Sequence, residues 1–397
     1  MTKNSKIILL KKKNILFLHN EKNLSMLKKT AILFYSFLMF TMSFAQHENA
    51  GSHHETAAVE TTELSDKEKT TKENKEFIDH HLLDAHDFAL MVDKDGHHIG
   101  FPLPVIIYDE GFHFFMSNTL GVDGHEFIHG SPVESQGKFY TLHHEKIYRT
   151  DAKGTLTLDE AHHPTEKRVL DLSITKSVLI IFLVSVVMLL IFGGMAKSYR
   201  KSLVPSGAAK LFEPIIIFIR DDIAIPNIGH KYKRFMGYLL TVFFFILFLN
   251  VLGLMPFGIN VTGNIAITFF LAILTYLITT FSATKDYWKH IFWMPGVPVP
   301  MKLIMLPIEL LGTITKPFAL MIRLFANMTA GHIVVMSLIG LIYVFKNVIA
   351  GVAFPFLTLV IYLLEVLVAF LQAYIFTMLS ALFIGMAVQE HDHEHAH

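Results

Sequence analysis

The chain has 397 residues, 52% of them hydrophobic and 17% charged, with 35 Phe and 18 Met, a composition too apolar for an ordinary soluble protein. Lys+Arg and Asp+Glu both total 34, so no net charge argues for a nucleic-acid partner. The absence of cysteine excludes a disulfide framework, a thiolate nucleophile and a Cys zinc site.

Near the N-terminus, Lys28 and Lys29 precede an apolar stretch over 31–42 and then Ser43-Phe44-Ala45. This basic, apolar, small-residue order predicts a secretory signal over 1–45, with an uncleaved anchor as the alternative and Met26 as a second possible start. Residues 46–80 are rich in Glu, Lys and Thr and bury too little to order a chain, which predicts a polar tether. Over 81–170, short β-prone runs such as 104–108 and 112–116 alternate with Gly and Asp turn signals, predicting a small β-rich domain. If the signal operates, that domain is exported.

Residues 171–397 read as an all-α membrane domain. Apolar runs over 178–195, 235–255 and 265–281 each approach the ~20 residues that a bilayer crossing needs. Two more, over 303–345 and 352–388, are far longer than a perpendicular span and must tilt steeply or divide. About five transmembrane helices follow, the last two strongly tilted if undivided. The run over 211–219 is expected to be interfacial. Lys197, Arg200, Lys201, Lys210, Lys231, Lys233 and Arg234 crowd between the first two spans and predict that this loop is cytoplasmic. Five crossings then put the 391–397 tail in the cytoplasm too.

Ionisable groups inside apolar helices carry the chemistry, because each is costly unless it faces protein, water or a partner. At about 100° per residue, Glu309, Gly312, Lys316, Ala319, Arg323, Asn327 and Ala330 fall on one helix face. Its small residues suit close approach by a neighbouring helix. Arg323 is a permanent cation and requires an anion opposite. Within the chain the embedded acids are Glu309, on the same helix, and Glu365, so a structural Arg323–Glu365 salt bridge is one reading. His332, nine residues on, points about 180° away from Arg323, toward the rest of the chain. On the last helix Glu365, Ala369 and Gln372 share a face that can meet His332. This titratable pair suits a proton path, or else simply pins two helices together.

The segment Lys316-Pro317-Phe318-Ala319-Leu320-Met321-Ile322-Arg323-Leu324-Phe325-Ala326-Asn327-Met328 resembles the signature of subunit a of bacterial F-type ATP synthases. Asn250-Val-Leu-Gly-Leu-Met-Pro256, Asn260-Val-Thr262 and Leu371-Gln372-Ala373-Tyr374-Ile375-Phe376 extend the resemblance over roughly 171–390. It implies a multi-pass protein of the bacterial inner membrane, packed against a rotating subunit c ring and a subunit b stator; with the signal and the basic loop read as above, the N-terminal domain is expected to be periplasmic. It further implies that Arg323 faces the ring carboxylate, that His332, Glu365 and Gln372 line the outer half-channel, and that Glu309 and Asn327 lie near the cytoplasmic exit. Some relatives carry an acid at His332 and a histidine at Glu365, an exchange that suggests contact. Some place a serine at Ala319, so a hydroxyl step in the exit path is either missing here or replaced by water. No cofactor is implied. No Walker A pattern occurs, so nucleotide chemistry belongs to other subunits and the chain is not expected to be an enzyme.

Fifteen of the 23 histidines lie between His47 and His163. They allow a second reading, a metal-collecting or metal-transporting protein, although their spacing fits no defined zinc motif.

Overall fold

In the computed structural model, residues 84–92, 98–120, 132–143, 145–159, 164–201, 207–255, 260–294, 298–345 and 348–389 are described. The predicted signal, the tether and the 391–397 tail lie outside them.

The first described part is built of short antiparallel strands, as the alternation predicts. β1 (Asp87–Val92) pairs with β2 (His98–Pro102). β3 (Pro104–Tyr108) lies between β4 (Phe112–Met116) and β8 (Leu170–Asp171), while β5 (Val133–Ser135), β6 (Lys138–His143) and β7 (Lys146–Thr150) form a third sheet. Val105, Ile107, Tyr140, Ile147 and Val169 are buried between the sheets. Five residues do not make a large core, and a cluster this small relies on polar support.

That support joins the domain to the first long helix, α1 (Lys176–Lys201). Asp84 caps it, accepting from the Thr175 hydroxyl at 2.9 Å and the Ser177 N–H at 3.1 Å, which satisfies donors left orphaned at a helix N-terminus. The Lys176 N–H donates to the Ala85 carbonyl at 3.0 Å. Next to this cap, buried His86 bridges Asp171 at 2.7 Å and Glu145 at 3.2 Å. Burial alone would drive the imidazole neutral, but the two carboxylates prevail and push its pKa up to about 10. Asp171, although also buried, is held below the usual carboxylate range by His86 and Ser173.

Among the described residues, five helical stretches are long and apolar enough to cross a membrane: Lys176–Arg200, Ala209–Gly253, Ile265–Ser282, Val299–Ile342 and Gly351–Val388. In lipid every backbone polar group must be satisfied within the chain, which drives such runs into helix. α2 (Ala208–Phe218) passes through a π-helical turn, Ile219–Ala224, into α3 (Ile225–Ile228). Gly229, at φ 69°, then turns the chain in a conformation that costs glycine nothing. α4 (Tyr232–Gly253) follows; its consecutive Phe243, Phe244 and Phe245 are all buried, as expected of a helix enclosed on every side. α5 (Ile265–Ser282) is capped by the Asn264 side chain and tied to α4 by a buried Tyr238–Thr275 hydrogen bond of 2.7 Å. α6 (Lys285–Phe292) is short.

The last two helices do not divide. α7 (Val299–Phe345) and α8 (Val348–Val388) have 47 and 41 residues, roughly 70 and 60 Å at 1.5 Å per residue. Pro307, Pro317 and Pro355 sit inside them without ending them. The 211–219 run, expected to be interfacial, is exposed or half-buried from Leu211 to Phe218. It continues into the π turn, whose Ile219, Ile223 and Ala224 are buried in the main core, and the Asn227 carbonyl lies against the Gly385 α-carbon of α8. The α8 terminus is satisfied from outside: Lys231 Nζ donates to the Val388 carbonyl at 3.1 Å and the Thr284 N–H to the Ala387 carbonyl at 2.9 Å.

Candidate functional site

α7 packs one side inward and leaves the other open. Leu320, Met321, Leu324 and Met328 are buried, whereas Ala319, Arg323, Asn327 and Ala330 are exposed. Glu309, Gly312 and Lys316, further back along the same stripe, are half-buried. The polar, small-residue face expected from the helical period is therefore the face that this chain does not cover.

Arg323 stands at its centre. Among the described residues no carboxylate forms an ion pair with it. Glu309 is fourteen residues back on the same helix, about 21 Å by helical rise. The Arg323–Glu365 salt bridge is not formed. Glu365 instead lies directly over Gly331, so close that a methyl group there would collide with the carboxyl carbon and both oxygens. The acid of α8 is thus delivered to the residue beside His332, on the inward-packed face of α7, about 80° round the helix from Arg323. His332 itself is half-buried.

From Glu365 the polar line of α8 runs inward through Ala369 to Gln372, both buried. It meets a polar knot that residue-by-residue reasoning missed. Asn250 Nδ2 donates to the Ala369 carbonyl at 3.3 Å, and the Thr262 hydroxyl donates to Asn250 Oδ1 at 2.9 Å. Both side chains are fully buried, and fully satisfied buried polar groups fix one packing of the helices around them. The signal was present in the two Asn-containing motifs that flank this turn.

Near the other end of the stripe, Lys316 opens on a small pocket, with Thr275, Thr279, Tyr287 and Thr313 among its walls. Its ammonium lies 5.5 Å over the Phe383 ring, a placement that offsets part of the cost of bringing a cation out of water. Threonine and tyrosine hydroxyls line the pocket beside the ammonium. The histidine pairs contribute little here: one or both members of each lie outside the described residues. Among the described residues no three metal-ligating side chains converge.

What these features define is a multi-helix membrane protein with a guanidinium, unpaired among the described residues, on an open helix face and an acid of the last helix packed against Gly331 of the same helix as the guanidinium. The family described as ATP synthase A chain matches residues 178–385, and one described only as a domain of unknown function matches residues 77–172. ATP synthase subunit a of Chloroherpeton thalassium is 52% identical over 232 residues, covering 56% of this chain and 69% of that protein. ATP synthase subunit a 2 of Chlorobaculum tepidum is 49% identical over 249 residues, covering 60% and 70%. ATP synthase subunit a of an Anaeromyxobacter species is 43% identical over 262 residues, covering 64% of each. The chain belongs to the subunit a family of F-type ATP synthases, a membrane-sector subunit.

Proposed function

We propose that the chain is the proton-conducting stator subunit of a rotary synthase, forming two offset half-channels against a ring of subunit c and held by subunit b. The observation that carries this reading is the position of Arg323: exposed, unpaired within the described chain, and set in a stripe of small residues. A fixed cation in that position needs an acid from another polypeptide. A ring carboxylate passing Arg323 is held ionised, while protonation lets it move on into lipid. Protons falling through the membrane potential release about 2.3 kcal/mol per 100 mV, and a continuous water path would dissipate that energy. Arg323 interrupts the path and ties proton flow to rotation.

In this scheme His332, Glu365 and Gln372 serve the outer half-channel; the contact of Glu365 with Gly331 supports it. Glu309 and Asn327 serve the cytoplasmic side, with the Lys316 pocket adjoining. α7 and α8 lie strongly tilted along the ring, since each is about twice as long as the ~30 Å hydrocarbon layer is thick. The Lys- and Arg-rich 197–234 segment sets that loop in the cytoplasm, which makes the β domain periplasmic, in a bacterial inner membrane, and its leader over 1–45 a signal. Nucleotide chemistry falls to other subunits.

Replacing Arg323 tests the scheme. In inverted membrane vesicles carrying the assembled complex, Arg323→Ala is expected to abolish proton-driven ATP synthesis while leaving the chain in the membrane. Synthesis at the unmodified rate would reject the role given to this residue.

A further inference from the structure

The β4–β3–β8 sheet is apolar on its outer face as well as on its inner one. On the face turned toward the small core, the strand that leads into α1 carries Asp171, Ser173 and Thr175, all buried. On the opposite face the same strand carries Leu170, Leu172 and Ile174. β3 adds Pro104, Ile106 and Tyr108 to that outer face, and the β3–β4 register sets Met116, Phe114 and Phe112 opposite them. Of these, Phe114 is 67% and Phe112 54% exposed. Not one charged residue interrupts the three strands on this side, whereas the solvated face of an antiparallel sheet is ordinarily polar.

The sheet is also fixed to the span. Beyond β8 the pairing continues, with the Leu172 N–H donating to Ile106 O at 2.8 Å and the Ile174 N–H to Pro104 O at 3.2 Å; α1 begins two residues later. The apolar rows therefore start at the membrane entry: Ile174, Pro104 and Met116 first, then Leu172, Ile106 and Phe114, then Leu170, Tyr108 and Phe112. At about 3.4 Å per residue, successive rows are about 7 Å apart. Charge reappears only at the far end, in the β3–β4 turn, where exposed Glu110 pairs with Lys138 at 2.9 Å. Aromatic rings, one with a hydroxyl, in an uncharged surface that is continuous with a membrane-crossing helix match the composition of a bilayer's interfacial zone.

We propose that this face is seated in the headgroup and upper acyl region of the leaflet that α1 enters, so that lipid is its occupant. Met116 and Phe114 lie in the interfacial layer, and Tyr108 and Phe112 at its outer rim. The β domain then acts as a collar that fixes the height of α1 in the bilayer, whatever proton path the later helices form.

A single-tryptophan series in the full chain tests this. Trp288 and Trp293 are the two native tryptophans; with both changed to Phe, one reporter is placed by Phe114→Trp, Met116→Trp or Phe112→Trp, or by Lys153→Trp at an exposed loop away from the sheet. The chains are reconstituted in phosphatidylcholine vesicles with or without brominated acyl chains. Emission from Phe114→Trp is expected to lose at least twofold in intensity in brominated lipid, that from Met116→Trp more, that from Phe112→Trp less, and that from Lys153→Trp not at all. An unquenched Phe114→Trp that acrylamide reaches means a bare surface. One that neither agent reaches means coverage by protein, either a second copy or another segment of the chain. Either result overturns the proposal, and neither bears on the function of Arg323.

Discussion

Gly331 has no side chain, and the Glu365 carboxyl occupies the space that one would need. The helical period predicts that His332 turns away from Arg323 toward α8, but no period reveals that the residue before it must be glycine for the acid to reach α7. Gly331→Ala makes the two incompatible. Either Glu365 swings off its site or α7 and α8 part locally, and close-packed helices resist parting. Proton-driven ATP synthesis in inverted vesicles is expected to fall at least tenfold, a loss of about 1.4 kcal/mol or more, with the chain still inserted. Glu365→Asp in that background withdraws the carboxyl by one methylene and is expected to recover part of the rate. An unchanged rate in Gly331→Ala would mean that the carboxyl does no work at this spot. The Asn250–Thr262 hydrogen bond was legible only as a motif, because a pair twelve residues apart across a chain reversal has no periodicity to betray it.

Helix length was the more readable property. Uninterrupted apolar runs of forty residues predict elements too long for an upright span, and α7 and α8 are single helices. Their prolines did not reveal whether they would divide: in membrane helices, neighbouring groups re-satisfy the carbonyls that a proline frees. The flanking charges of the 211–219 run suggest an interfacial helix, and its residues from Leu211 to Phe218 are exposed or half-buried. What those charges do not reveal is that the π turn that follows is packed against α8 through the approach of the Asn227 carbonyl to Gly385, a contact invisible in either stretch alone. Gly385→Ala is expected to destabilise the chain by about 1–3 kcal/mol, the usual cost of overpacking. Gly194→Ala, where an added methyl meets nothing within 4 Å, is expected to be neutral or slightly stabilising through helix propensity. Thermal unfolding of the two purified variants in the same detergent checks the contrast; equal midpoints would remove the packing role given to Gly385.

At the scale of the whole molecule, one buried ion cluster of the β domain stands beside the start of α1, and its protons set how firmly that junction holds. His86 and Asp171 stand 85 residues apart, one before β1 and the other in β8, so single-chain reasoning cannot pair them. Folding raises the His86 pKa from its ordinary 6.5 to about 10, so the folded state holds this proton more tightly than the unfolded one. The resulting stability is present in full below about pH 6.5 and is lost as pH climbs through 10. Asp171 is lowered by the same pairing, so its contribution is present above the ordinary carboxylate pKa and fades only in acid. The two shifts describe one interaction, and its energy is counted once. Hydrogen exchange of the Lys176 amide, which donates to Ala85 beside the cluster, reports on it directly. After correction for the intrinsic rate, protection of that amide in the full chain is expected to be constant from pH 5 to 6.5 and then to fall, by up to tenfold per pH step where only this equilibrium governs opening. His86→Gln, which keeps a hydrogen-bond donor but cannot titrate, is expected to start with less protection and show no such decline. A slope that persists in His86→Gln would place the titrating group elsewhere and break the link between the His86 cluster and the seating of α1.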